Sequence, residues 1–311
     1  MSPAGPRGRL NILIFHRVLA RPDPLFPDIA DAAEFEKKMR WVRDWFNVVP
    51  LAGAVEMLGA GTIPSRALAI TFDDGYADNQ EVAAPILQRL GMPATFFVST
   101  SFLDGSCMWN DRVIEAIRGC PADQIDLDSI GLGRHALRSP QLRRQVIDAL
   151  LKNIKHLEQD RRQAVCDAIV EVSRAAAPPR LMMRPEQVKS LRTLGMDVGA
   201  HTVTHPILTR IAPDKAREEI GRSKEQLESI VGERIDLFAY PNGVPRQDYA
   251  IEHVDMVKQC GFSAAVSTAW GAASRRSDRF QLPRFTPWDR SSFRYGARLL
   301  DNLRRVEQVA A

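Results

Sequence analysis

Residues 69–80 read AITFDDGYADNQ. An apolar run ends there in two adjacent aspartates, Asp73 and Asp74, followed by Gly75. Neighbouring side chains on a strand point to opposite faces. Two carboxylates therefore converge on one site only where the strand ends, and a glycine supplies the backbone freedom to end it. Like charges side by side repel, and a bound cation answers that, with one carboxylate ligating it while the other stays free nearby. The alternative is that one aspartate caps a helix starting near Ala77.

Outward from this stretch, short apolar runs recur: NILIF (11–15), ALAITF (67–72), PATFFV (93–98), MDVGA (196–200), IDLFAY (235–240) and FSAAV (262–266). Their length and flanking turns are strand-like. Helical patterns lie between them, as at Phe35, Met39, Val42 and Phe46, or Ala250, Val254 and Val257. Nearly continuous apolar strands separated by helices predict an α/β fold, either a β/α barrel or an open parallel sheet. From residue 107 to 185 no strand pattern appears, and Leu142, Val146, Leu150 and Leu157 fall at helical spacing. This predicts a helical insertion, closed by AAAPPR, within one domain spanning 1–311.

Of the 311 residues, 45% are hydrophobic and 26% charged, as expected of a globular protein with a sizeable core. The net charge of +4 is too mild to point to nucleic acid. Cys107, Cys120, Cys166 and Cys260 are widely spaced and read as reduced thiols. No run approaches a transmembrane segment, and the start of the chain lacks the apolar core of a leader, so a cytoplasmic location is expected. The last helix, around SFRYGARLLDNLRRVEQ, carries Arg294, Arg298, Arg304 and Arg305. It reads as a solvated basic face or as a peripheral contact for a membrane surface or partner.

The second chemical motif is VGAHTVTHP (198–206). His201 and His205 follow a strand and can share one metal if the segment curls, with Thr202 and Thr204 orienting them. Ligands of α/β proteins bind at the C-terminal strand edge, where both motifs point. Asp74, His201 and His205 supply two nitrogens and one oxygen and leave positions open for water and substrate. Zinc is the default divalent metal, and cobalt, nickel or iron suit the same set. Such a metal lowers the pKa of bound water from about 15.7 towards roughly 7, and Asp73 is placed to take the remaining proton.

TFDDG and HTVTH together resemble the polysaccharide deacetylases of carbohydrate esterase family 4, the NodB-homology group, over about residues 11–287. The resemblance implies a distorted (β/α)7 barrel and metal-dependent hydrolysis of N-acetyl, sometimes O-acetyl, groups on sugars. It implies Asp73 as catalytic base and Asp74, His201 and His205 as metal ligands. The substrate would be an acetylated glycan or glycan precursor. Two other readings stand beside it: an amidohydrolase on a small non-sugar amide, and a non-catalytic glycan-binding relative.

The departures from the family pattern carry further expectations. Where the family has Arg-x-Pro-Tyr-Gly, this chain reads AYPNG (239–243), so Ala239 replaces the arginine that orients the base. The resemblance implies the Asn242 N–H as an oxyanion donor, with Tyr240 beside it at the substrate, and Arg284 in LPRF is a candidate for the missing guanidinium. The family's Leu-x-His, its source of a general acid, is not found. His16 in LIFHRV resembles the Tyr-His-x-Val start of one deacetylase subgroup; it is expected to be the stand-in acid or a substrate ligand, the alternative being a satisfied structural histidine. His156 and His253 fall in helical patterns and are expected to be exposed, and His135 has no motif around it. Trp109 in CMWNDR either stacks on a pyranose or anchors the inserted helices.

Overall fold

The computed structural model describes residues 2–305 and 308–310. Two compact units emerge, the first comprising Met1–Ala20, Asp31–Asp104 and Met183–Ala311, the second Arg21–Ala30 and Gly105–Met182.

The first unit is built on a strongly curled sheet. Strand β1 (Arg9–Phe15) pairs in parallel with β3 (Ala67–Phe72), which also takes the short β2 (Asn47–Val48). Parallel pairing continues from β3 to β4 (Thr95–Val98), β7 (Asp197–Ala200), β8 (Leu237–Ala239) and β9 (Ala264–Val266). β10 (Ala273–Ser274) lies antiparallel on the start of β1. Residues 282–286 then cross between the two ends of the sheet: Leu282 exchanges backbone hydrogen bonds with Ala265 and Ser267, and the Phe285 N–H donates to Ile12 O.

Every residue of β3 is buried, as a strand covered on both faces requires. Small side chains, Ala67 and Ala69, point inward to a cluster with Leu10, Ile12, Phe97, Leu237, Ala264 and Leu282. Outward, Phe72 stacks on Phe15 and Phe96 and meets Phe35 of α1 (Ala32–Trp45) edge-on. Each such phenyl contributes about 1.5–3 kcal/mol by burial. Helix α2 (Leu51–Ala60) packs Leu51, Ala54, Val55 and Leu58 onto the inner cluster, while α3 (Ala84–Arg89), α7 (Pro185–Thr193), α8 (Pro213–Val231), α9 (Ile251–Gln259) and α10 (Ser292–Asn302) complete the connections. A Cβ on Gly199 would stand 2.4 Å from Cδ1 of Phe97. Gly199→Ala is therefore expected to lose about 1–3 kcal/mol of stability by overpacking, read from denaturant midpoints.

In the second unit α4 (Trp109–Gly119), α5 (Pro140–Ile154) and α6 (Gln159–Ser173) enclose Val113, Ile117, Ile147, Leu150, Cys166 and Ile169. Ser139 caps α5 by accepting the Leu142 N–H. Two details differ from the sequence reading. A two-stranded antiparallel sheet, β5 (Gln124–Asp126) with β6 (Arg134–Ala136), sits where no strand was expected. Only Ile125 of β5 is buried, so these three-residue strands present no apolar run. Arg21–Ala30 also joins this unit, through Asp23, which pairs with Arg118, and Leu25 in the core.

The helix expected over residues 292–308 covers Ser292–Asn302, and Val306 and Glu307 lie outside the described residues. Among the described residues no helix is long and apolar enough to cross a membrane. No cysteine is in a disulfide; Cys120 and Cys166 are buried.

Candidate active site

Strand alternation puts Asp73 on the inner side, in line with Ala67, Ala69 and Thr71. Its N–H donates to Phe15 O at 2.9 Å and extends the β1–β3 ladder by one residue. Asp74 then adopts φ +77° and Gly75 φ +89°, so the chain reverses and Asp74 comes to the same rim. Aspartate tolerates this left-handed region better than most residues. Among the described residues the Asp73 carboxylate meets Arg284 and the Asp74 carboxylate approaches His201 and His205, rather than capping a helix.

Asp73 lies against Arg284, whose Nη1 and Nη2 donate to Oδ1 and Oδ2 at 2.7 Å each. The guanidinium is 1% exposed. It also donates to Thr71 Oγ1 (3.1 Å) and, through Nε, to Ser267 O (2.9 Å), and stands 5.7 Å over the Phe97 ring. The crossing segment aims it there: Arg284 follows Leu282 by two residues and so shares its inward face.

His201 follows β7 and is pinned by its N–H to Val98 O (3.1 Å). Its Nδ1–H donates to Ala239 O at 2.7 Å. In the neutral ring this leaves a lone pair on Nε2. Thr202 Oγ1 donates to His201 O (2.6 Å) and accepts the His205 N–H (3.1 Å), closing a loop in which Thr202 and His205 have positive φ. Glu219 of α8 holds that loop from outside, accepting the Val203 and Thr204 N–H groups at 2.8 Å each and the Thr204 hydroxyl at 2.7 Å. Sequence reading missed Glu219, since a glutamate in a long polar helix carries no local signal. Glu219→Ala is expected to weaken metal affinity about 10- to 100-fold, measured by competition with a chromophoric chelator, with the fold retained by circular dichroism.

Asp74 Oδ1 lies 3.5 Å from His201 Nε2 and 3.4 Å from His205 Nε2. It is buried and has no hydrogen-bond partner among the described residues. The candidate ligand atoms of Asp74, His201 and His205 all lie within 4.8 Å of one another. Three lone-pair donors converging on one point, one of them an orphaned carboxylate oxygen, fit a cation. Burial alone would raise both carboxyls. Arg284 and His201 outweigh it at Asp73, and His201, His205 and His16 outweigh it at Asp74, so both lie below the ordinary carboxylate value. Burial lowers His205 to about 4, which favours the neutral, ligating form. At His201 burial is outweighed by Asp73 and Asp74, and the balance is upward.

His16 is exposed just past β1, and its charge acts on Asp73, Asp74 and His205. The Asn79 amide donates to His16 O (2.8 Å), and Asp78 accepts from Arg17 Nε (2.8 Å) and the Val18 N–H (3.3 Å). Asn242 follows β8 with φ +57°; its carbonyl accepts the Thr268 hydroxyl (2.7 Å), and its N–H has no partner among the described residues.

Tyr240 corrects the expectation of a substrate-facing side chain. Its ring is fully buried, stacked on Tyr249 at 3.9 Å, and its hydroxyl donates to Phe280 O. Trp109 belongs to the second unit, packed on that unit's core with Arg162 5.2 Å over its ring. His253 is buried, against expectation, because its Nδ1 accepts the Ala250 N–H at the start of α9. His156 is exposed, and His135 contacts Leu132 O within the second unit.

A strongly curled, parallel-dominated α/β sheet forming a half-barrel is the architecture of the NodB-type deacetylases. The sequence profile of the polysaccharide deacetylase family matches residues 60–265, more than half of the chain, and the chain belongs to that family of hydrolases. YxkH of Bacillus subtilis (strain 168), which bears the family name, is 23% identical over 278 residues, covering 89% of this chain and 70% of its own. Among solved structures, the Streptococcus pyogenes deacetylase PplD in complex with acetate aligns at TM-score 0.63 and 18% identity, over 96% of this chain and 99% of its own. IcaB from Ammonifex degensii aligns at 0.58 and 19%, over 94% and 97%. At these identities the structural likeness speaks for the fold.

Proposed function

We propose that this chain is a metal-dependent hydrolase that removes N-acetyl groups from an acetylated amino sugar or polysaccharide precursor. The observation that carries the reading is the convergence of Asp74, His201 and His205, with an unpartnered Asp74 oxygen, next to a second carboxylate that they leave free. Those three residues would hold a divalent ion, zinc first, with cobalt, nickel or iron compatible with the same donors. The ion's contribution is Lewis acidity towards the acetyl carbonyl and the attacking water.

Asp73 is the base. It stays ionised because Arg284 neutralises it, and Arg284 also fixes both its oxygens, so it meets the water proton in one orientation. Arg284 thus takes the place of the arginine that the motif at Ala239 lacks. The Asn242 N–H donates to the developing oxyanion, and Thr268, gripping the Asn242 carbonyl, holds that amide still. His16, exposed just past β1, gives a proton to the leaving amine. His16→Gln is expected to slow turnover about 100-fold or more while metal content stays whole; a wild-type rate would leave the leaving group to another acid.

The test is acetate release from a panel of N-acetylated glycans by metal-reconstituted protein. Release that stops on chelation and returns with added Zn²⁺ is the expected result. Protein that binds no divalent ion near neutral pH would replace the hydrolase with the glycan-binding relative.

A further inference from the structure

Helix α10 carries two apolar faces. Tyr295, Leu299 and Asn302, at i, i+4 and i+7, are buried against the first unit. The Asn302 amide donates to Asn11 Oδ1 (3.0 Å) and Gly271 O (2.7 Å), and Trp41 lies 5.9 Å from the Tyr295 ring. On the opposite side Phe293, Ala297 and Leu300 repeat the same spacing and face outward, Phe293 84% and Leu300 42% exposed. The helix is already anchored, so the outward stripe is held in place rather than waiting for a fold to cover it. Of the seven exposed large hydrophobics among the described residues, four, namely Trp270, Trp288, Phe293 and Leu300, fall in this part of the chain. Phe293 and Leu300 share one outward face of one helix, which separates them from singly scattered surface leucines.

Its charges have one sign in excess. Arg298 pairs with Asp289 and stacks on Trp288, Arg305 pairs with Asp301 at 3.3 Å, and Arg290 reaches Glu34 at 3.7 Å. Arg294 and Arg304 have no acidic partner among the described residues; Arg294 is next to Phe293 in α10, and Arg304 follows the helix's C-terminal end. A second copy of this chain packed on the same face would set this excess of positive charge against itself. A sugar would find no hydrogen-bonding side chain among Phe293, Ala297 and Leu300. A layer that is apolar within and anionic at its surface satisfies both halves of the pattern.

We propose that the outward face of α10 docks on an anionic lipid bilayer, with Phe293 and Leu300 entering the interface and Arg294 and Arg304 meeting phosphate headgroups. This goes beyond the deacetylase reading and does not depend on it. An enzyme so docked would meet substrates carried on lipid at the membrane plane.

The test is co-sedimentation of the full chain with phosphatidylcholine vesicles, with and without phosphatidylglycerol. Binding to the phosphatidylglycerol vesicles, weakening as salt is raised, is expected, with little on phosphatidylcholine alone. The double variant Phe293→Ser, Leu300→Ser should bind roughly tenfold more weakly or worse, as removal of two inserted apolar side chains requires. Arg294→Glu, Arg304→Glu should lose the preference for phosphatidylglycerol. Melting temperature should be retained in both variants, and acetate release from a soluble glycan should be unchanged, which separates docking from catalysis. Wild-type protein that ignores both vesicles, binds them equally, or binds as well after the Phe293 and Leu300 changes would overturn the proposal. So would a concentration-dependent dimer that those two changes dissociate, because the stripe would then belong to a second copy.

Discussion

Arg284→Met is expected to cost about 3–5 kcal/mol of folding stability and to slow turnover at least about 100-fold. The pair it breaks is almost wholly excluded from water, with Arg284 1% and Asp73 2% exposed. Methionine fills much of the volume but leaves the Asp73 carboxylate without its two guanidinium bonds, and Thr71 and Ser267 without a donor. An uncompensated buried charge is costlier than the loss of the pair as a unit, so removing one partner is the severe test. Burial raises Asp73, but Arg284 and His201 hold it below its ordinary 3.8. A group depressed on folding contributes stability that is complete above its unfolded pKa and fades as pH falls through the folded one. The gap between wild type and Arg284→Met in metal-free protein should therefore be full near pH 7 and narrow below about pH 4. Urea titrations at several pH values read this directly. A constant gap would mean that Arg284 supports the barrel by packing alone.

Turnover in Asp73→Asn should fall by about 10²- to 10⁴-fold, with metal affinity close to wild type. The asparagine keeps the shape of the side chain and can still accept one bond from Arg284, but it cannot take a proton from water. Asp74→Asn gives the contrasting pattern: it withdraws the only anionic donor of the cluster, so metal affinity falls first and turnover with it. Metal content measured beside acetate release distinguishes the two. Equal acetate release from Asp73→Asn and wild type would remove Asp73 as the base, whatever the metal content.

Much of this site was legible along the chain. Asp73 and Asp74 are adjacent at a strand end, and His201 and His205 are four residues apart at another, so their spacing is local and sequence displays it. The same holds for the strands at ALAITF and MDVGA, whose apolar runs are long enough to count. Tyr240 was misread because its motif neighbour, Asn242, does lie by the rim, while alternation along the chain turns the Tyr240 ring into the core. His253 was misread because a histidine in a helical pattern shows nothing of the backbone N–H it caps. β5 and β6 escaped because a three-residue strand with one inward side chain has no period to detect.

Taken alone, the order of residues determined an α/β fold, the two strand ends that carry the candidate ligands and the absence of the usual arginine at Ala239, while the distorted barrel came from the family resemblance. Which guanidinium answers Asp73 was decided only by tertiary structure. Arg284 is 211 residues away and reaches Asp73 because the crossing segment hydrogen-bonds to β9 on one side and β1 on the other. The reason is physical: a strand end or a helical turn is set by neighbours in sequence, whereas neutralising a buried charge requires a partner at 2.7 Å, and distance in space leaves no period in the chain.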